Sequence, residues 1–188
     1  MTTFEVIRAR KSIRSFLDKE VEKEKIKKIV EAGNMAAGTP MAGKVHFNVI
    51  TNKELLKKIN EGTKTVMQNS GVEMLMKFAS NPNFNPTYGA PVAIVISIDP
   101  IEDKNTRDWS IENVGCAGEN MLLAATDLDL GSCYVVSPTT AFAIPELKNE
   151  AKIPENTIPT AMVILGYTNE KIIHTDYDEN PQNIIYVD

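Results

Sequence analysis

The chain has 188 residues and a formal net charge of -5, from 25 Asp+Glu against 20 Lys+Arg. That length suggests one domain, or one domain with an extension, and 43% apolar with 24% charged residues is the make-up of an ordinary soluble globule. The acidic balance argues against non-specific nucleic-acid binding, which needs a broad basic face, but leaves room for a local anion site made of a few aimed donors.

In chain order, "TTFEVIRAR" predicts a helix capped by Thr2 or Thr3, with Phe4, Ile7 and Val6 sharing an apolar side. "KSIRSF" alternates and reads as extended. "KEVEKEKIKKIVEAGNMA" predicts a second helix, with Val21, Ile26, Ile29 and Val30 inward and lysines in water. "AAGTPMAGK" breaks regularity at Gly38, Pro40 and Gly43, and "VHFNVIT" alternates as a strand. "KELLKKIN" predicts a short amphipathic helix. "TKTVMQNSGVEMLMKFA" predicts another, weak at Gly71, and "NPNFNPTYG" a loop. "PVAIVISID" is a β-branched run and so a buried strand.

"WSIENVGCAGENMLLAATDL" predicts a helix almost apolar on all sides from Val114 to Ala125, which implies burial on all sides. It fits a core helix that a second subunit also covers. "LGSCYVV" predicts a strand, "TTAFAIPELKNEAK" a helical segment interrupted at Pro145, and "IPTAMVILGY" a buried strand. The tail is polar and ends in the extended apolar piece "NIIYV". Helices and strands mix without a βαβ rhythm, so the class is α+β around a central sheet.

No Walker loop, GxGxxG after a strand, HExxH or GxSxG is present. Cys116 and Cys133 form neither a disulfide framework nor a metal cluster, and burial as packing residues is expected of both. His46 and His174 lack paired ligand spacing, so no metal is expected. Nothing reads as a signal peptide or a membrane span of roughly 20 apolar residues, and the expectation is a reduced, cytoplasmic protein.

Against the acidic balance, Arg8, Arg10, Lys11 and Arg14 fall within seven positions. If the segment is extended, Ser12 and Arg14 share one face. Arginine offers a planar fork of donors suited to phosphate, and Ser12 adds a hydroxyl. Taken alone, the run reads equally well as solvated surface charge.

"RARKSIRSF" resembles the opening signature of the FMN-dependent nitroreductase family, Arg-x-Arg-[Arg/Lys]-Ser-x-Arg-x-[Phe/Tyr]. "VEAGNMAAGTPM", "GAPVAIVISID", "ENMLLAATDLDLGSCYVVSP" and "IPENTIPTAMVILGY" resemble later family segments, in order, from about Val6 to Tyr167.

The resemblance implies a three-layer α/β/α sandwich with a mixed central sheet. It also implies an intertwined homodimer with FMN in clefts at the subunit interface, and NAD(P)H as electron donor. Residues 1–188 would form one domain, with 168–188 an extension wrapping the partner. Carried over, Arg10 and Ser12 would hold the FMN phosphate, with Lys11 near the phosphate or ribityl chain. Arg14 would face the N1–C2=O edge, where a cation stabilises reduced flavin. Thr39, Pro40 and Met41 would line the flavin from the partner. Val135, Val136 and Ser137 would lie by the ring through backbone groups, and Asn83 at the pyrimidine edge.

The implied activity is reduction of nitroaromatics, quinones or similar acceptors by ping-pong hydride transfer through flavin N5, with no dedicated catalytic side chain. Another flavin reaction on the same scaffold, or a non-catalytic flavin-binding or redox-sensing protein, is the alternative. Two departures stand out. The family's Asn-x-Gln-Pro-Trp is here Ala42, Gly43, Lys44, Val45, His46, with Lys44 a possible substitute contact. The tail carries Asp176, Asp178 and Glu179, with Lys171 and His174 in place of a late Arg or Lys for the phosphate. Both predict a weakly held FMN.

Overall fold

A computed structural model describes residues 1–170 and 184–187. Helix α1 (Thr3–Ala9) leads through an extended segment to α2 (Lys23–Asn34). A 3-10 turn (Pro40–Ala42) precedes β1 (Val45–Ile50), followed by α3 (Lys53–Gln68), α4 (Glu73–Ala79) and β2 (Val92–Ile98). Helix α5 (Lys104–Asp127) then leads to β3 (Gly131–Val135), a second 3-10 segment (Ser137–Ala143), α6 (Pro145–Glu150) and β4 (Ile158–Gly166).

The four strands lie in the order β1-β2-β4-β3, and all three pairings are antiparallel. The mixed sheet expected from the resemblance is therefore corrected. Strands β2 and β3, joined through α5, point the same way, but β4 slots between them in the opposite sense. What would have been a parallel neighbour pair becomes two antiparallel ones. A parallel pairing appears only as the isolated bridge Ser12–Ser132 among the described residues.

Strand alternation divides the core into two layers. Ala93, Val95, Met162 and Ile164 meet Leu55, Leu56 and Ile59 of α3 with Phe142 and Leu147. On the other face, Val92, Ile94, Ile96, Val163 and Leu165 meet Ile26 and Ile29 of α2 with Val114, Met121 and Leu122 of α5. All seven residues of β2 are buried, as its β-branched run predicts. At roughly 1.5–3 kcal/mol for each fully buried large aliphatic side chain, this sheet is the main stabilising element.

Element limits differ from expectation where polar side chains decide them. Helix α2 begins at Lys23 rather than Lys19, because Lys19 and Glu22 are drawn to the end of β4: Lys19 Nζ sits 3.7 Å from the Tyr167 ring centroid, and Tyr167 Oη donates to Glu22 at 2.8–2.9 Å. Helix α5 begins at Lys104, five residues before the expected start, since Asp103 Oδ2 accepts from Thr106 N at 2.7 Å and caps it. Helix α3 absorbs both "KELLKKIN" and "TKTVMQ". Gly62 does not break it, because Leu147 packs where a side chain would go, 2.6 Å from an added Cβ. The break falls instead at Gly71, with φ 71°.

Helix α5 is not buried all round within one chain. Val114, Ala117, Gly118, Met121, Leu122 and Ala125 face inward, while Gly115, Cys116 and Glu119 are exposed. Cys133 is buried as expected; Cys116 is not, because it falls on the outer face. Ile184–Val187 lack regular secondary structure and are exposed. Lys171, His174, Asp176, Asp178 and Glu179 lie outside the described residues, as does most of the expected 168–188 extension. No helix among the described residues is long and apolar enough to cross a membrane.

Candidate functional site

A short capped helix carries the N-terminal cations into place. Thr2 Oγ1 accepts from Glu5 N at 3.4 Å, and Glu5 Oε2 accepts from Thr2 N at 2.7 Å. This reciprocal pair satisfies two donors that the helix start leaves unmatched. Val6 and Ala9 bury the inner side of α1. The helix ends at Arg10, whose ψ of 129° turns the chain into extended backbone. That backbone docks beside β3: Ile13 N donates to Ser132 O at 2.9 Å, and Ser12 bridges Ser132. Ile13 is buried, so alternation leaves Ser12 and Arg14 outside, both exposed.

Each cation has distinct surroundings. Arg10 Nε lies 3.2 Å from Glu119 Oε1 of α5. Nε is buried and the contact lacks hydrogen-bond geometry, so the link is an ion pair. Arg14 Nη1 donates to the Ser12 carbonyl at 3.3 Å, and its guanidinium lies 5.8 Å from the Tyr88 ring centroid, near the outer limit of a cation–π contact. Arg14 has no carboxylate partner among the described residues. Tyr88 (φ 52°) and Gly89 (φ 76°) are consecutive left-handed residues. For a bulky aromatic that is an unusual conformation, and it brings the ring under Arg14. Lys11 is half-buried between these two arginines in sequence.

Cys133 reports on the same cluster from the sheet side. Burial pushes its thiol upward, opposed by the charge of Arg14, a hydrogen bond with Ser12 and the charge of Arg10. Beyond it, Val135 is buried at the end of β3, Val136 is exposed and Ser137 opens the 3-10 segment. Val136 O accepts from Thr139 N at 3.0 Å and Thr139 Oγ1 at 2.8 Å, and Ser137 O accepts from Thr140 Oγ1 at 2.8 Å. The strand end is thereby held rigid. Arg10, Ser12, Arg14 and Val135–Ser137 thus gather along β3.

The other expected residues stand elsewhere in the single chain. Thr39, Pro40 and Met41 are held against α5: Thr39 N donates to Asn113 Oδ1 at 3.0 Å, and Asn113 Nδ2 donates to Thr39 O at 3.3 Å. Ser110 Oγ donates to Ala42 O. Met41 points out, 70% exposed. The unusual Ala42–His46 stretch is tied down by Asp99, which accepts from Lys44 N at 3.0 Å and pairs with His46 Nε2 at 2.7 Å. Lys44 and His46 line a cavity of about 310 Å³ with Gly33, Gly38 and Asn113. Asn83 borders a groove of about 310 Å³ with Lys57, Asn60, Lys64 and Asn85.

Sequence reasoning missed Glu119, Tyr88 and Ser132. Glu119 had one visible signal: it is the single charged residue between Val114 and Ala125. Tyr88 and Ser132 had none, because their roles depend on contacts between distant segments.

These residues fit a phosphate-bearing flavin. Among the described residues, the terminal nitrogens of Arg10 make no hydrogen bond within the chain, and Ser12 and Arg14 are exposed, Arg14 with no carboxylate partner. Ser132 Oγ is buried with no partner at the same strand, and an orphaned buried hydroxyl calls for one.

The fold is an α+β arrangement of helices on a four-stranded antiparallel sheet, with a strip of cations along its edge strand β3. The model of the Nitroreductase family matches residues 7–167. The chain belongs to the nitroreductase family. A protein of Archaeoglobus fulgidus, provisionally named NADH dehydrogenase/NAD(P)H nitroreductase, is 30% identical over 181 residues, covering 95% of this chain and 94% of its own length. A protein of Methanothermobacter thermautotrophicus with the same provisional name is 30% identical over 170 residues, covering 90% and 79%. A crystal structure of a nitroreductase with bound FMN from Bacteroides fragilis superposes with TM-score 0.86 at 27% identity, over all of both chains. Another with bound FMN, from Desulfitobacterium hafniense, gives TM-score 0.82 at 25% identity, covering 99% of this chain and 98% of its own.

Proposed function

We propose that this nitroreductase-family oxidoreductase binds FMN, takes electrons from NAD(P)H and passes them to nitroaromatic, quinone or similar electron-poor acceptors. The observation that carries the reading is the docking of Arg10, Ser12 and Arg14 against β3, which separates a phosphate grip from a lone exposed cation. FMN, when bound, supplies hydride acceptance and donation at N5, which no side chain of the site provides.

The protein's part is binding, orientation and charge. Arg10 and Ser12 hold the phosphate with charge-assisted hydrogen bonds, and Lys11 lies near the phosphate or ribityl chain. Arg14 sets positive charge against the N1–C2=O edge, where it favours the reduced ring. The pinned backbone of Val135–Ser137 orients the ring, and Asn83 meets its pyrimidine edge. A second copy completes the cleft, presenting Thr39, Pro40 and Met41; the exposed Gly115 and Cys116 of α5 face that copy. Donor and acceptor occupy one cleft in turn, so turnover is ping-pong and needs no dedicated acid or base.

Thermal melting during an FMN titration tests the binding, and NAD(P)H oxidation with and without a nitroaromatic tests the chemistry. Added FMN raises the melting temperature of a protein that binds it. An unchanged melting temperature overturns the reading. FMN binding without NAD(P)H oxidation leaves the non-catalytic flavin-binding alternative.

A further inference from the structure

Arg10 carries the phosphate end of the proposed site from the C-cap of α1, where the backbone has already left the helix, and its side chain is about one third exposed. Any rotamer freedom left to the outer part of so long a side chain must be given up on binding a ligand, and that is costly. Glu119 removes that freedom. It reaches from the middle of α5, 109 positions away in sequence, and stands 3.2 Å from Arg10 Nε.

The geometry separates the two edges of the guanidinium. Nε is buried beside Glu119, so an incoming phosphate does not compete for it. Among the described residues, the terminal nitrogens make no hydrogen bond and remain available. A guanidinium offers five N–H donors in a fixed fork, so one edge can be anchored while the other binds. Glu119 costs some phosphate attraction through its charge. Its side chain is 49% exposed, however, and in so wet a setting that repulsion is strongly screened. Orientation therefore outweighs repulsion.

We propose that Glu119 is a positioning residue that orients Arg10 for the FMN phosphate. This rests on the FMN reading above. It also accounts for the one charged residue in an otherwise uncharged helical stretch, and supplies organisation to the phosphate end of a site whose loop departs from the family pattern.

The test compares FMN with riboflavin, which lacks the phosphate, by titration of the apoprotein and its variants followed by flavin fluorescence. Glu119→Ala is expected to weaken FMN binding by about tenfold, the effect of one long side chain no longer pre-set, with riboflavin affinity unchanged. Glu119→Gln, which keeps the bulk of the side chain but removes the charge of the ion pair, is expected to lose most of the same affinity. In an Arg10→Ala background, Glu119→Ala is expected to add no further loss.

Equal weakening of FMN and riboflavin by Glu119→Ala would mean a general structural role and overturn the proposal. So would unchanged or tighter FMN binding, or an undiminished loss in the Arg10→Ala background. If wild type binds FMN no more tightly than riboflavin, the phosphate reading of Arg10 itself fails, and the role of Glu119 with it. That outcome is distinguishable, because it appears before any variant is made.

Discussion

Gly118 of α5 packs directly against the ring of Tyr134 on β3: a Cβ at position 118 would lie 2.5 Å from Tyr134 Cε2 and 2.7 Å from Cδ2. Gly118 of "GCAG" thus serves close helix–sheet approach, while Gly115 is exposed with nothing within 4 Å of an added Cβ. Gly118→Ala should destabilise the protein by about 1–3 kcal/mol, the usual range for overpacking, even though alanine is favoured over glycine in a helix by roughly 1 kcal/mol. Denaturant midpoints of the two proteins check this. A more stable variant would mean the ring moves aside freely.

Arg10 and Arg14 should separate by variant. Arg10→Ala removes a charge-assisted grip worth about 1.5–3 kcal/mol, and is expected to weaken FMN binding roughly 10- to 100-fold. Arg14→Ala is expected instead to lower the two-electron potential of bound flavin by about 30 mV, the equivalent of ~1.4 kcal/mol. Its exposed position and single backbone hydrogen bond make a large effect on folding unexpected. Equal potentials in wild type and Arg14→Ala contradict the charge role.

Asp99 predicts a pH dependence of stability. Its carboxyl is held below the ordinary 3.8, first by the Lys44 N–H and then by His46. A depressed carboxylate stabilises the fold above its unfolded value, and that stability is lost as pH falls through the lower folded value. At pH 7, Asp99→Ala should cost about 1 kcal/mol, kept small because the side chain is over a third exposed. The difference between the two proteins should close below about pH 3.8. Denaturant unfolding of both at a series of pH values measures it; a constant difference would place the effect elsewhere.

What was legible in the chain followed local physics. The β-branched run Val92–Ile98 could only be a buried strand, and the alternation of Ser12, Ile13 and Arg14 settled which side faces water. What was hidden depended on partners far away. The N-terminal limit of α2 needed Tyr167, the continuity of α3 through Gly62 needed Leu147, and the antiparallel sheet needed β4 to insert between β2 and β3. In the site, the motif residues Arg10, Ser12 and Arg14 were visible because their chemistry is local. Glu119 and Tyr88 became meaningful only once α5 and the 81–89 loop were folded against them. The Ala42–His46 stretch looked like a loss of polar contacts; its backbone and imidazole are instead engaged by Asp99.

On the proposed function, the cations along β3 hold a flavin that NAD(P)H reduces. Anaerobic addition of NADH or NADPH to the FMN-loaded protein, followed by its visible absorbance, tests it most directly. Bleaching is expected with at least one of the two, and recovery of the oxidised spectrum when a nitroaromatic is added. A fully loaded protein whose flavin stays oxidised with both donors would contradict it.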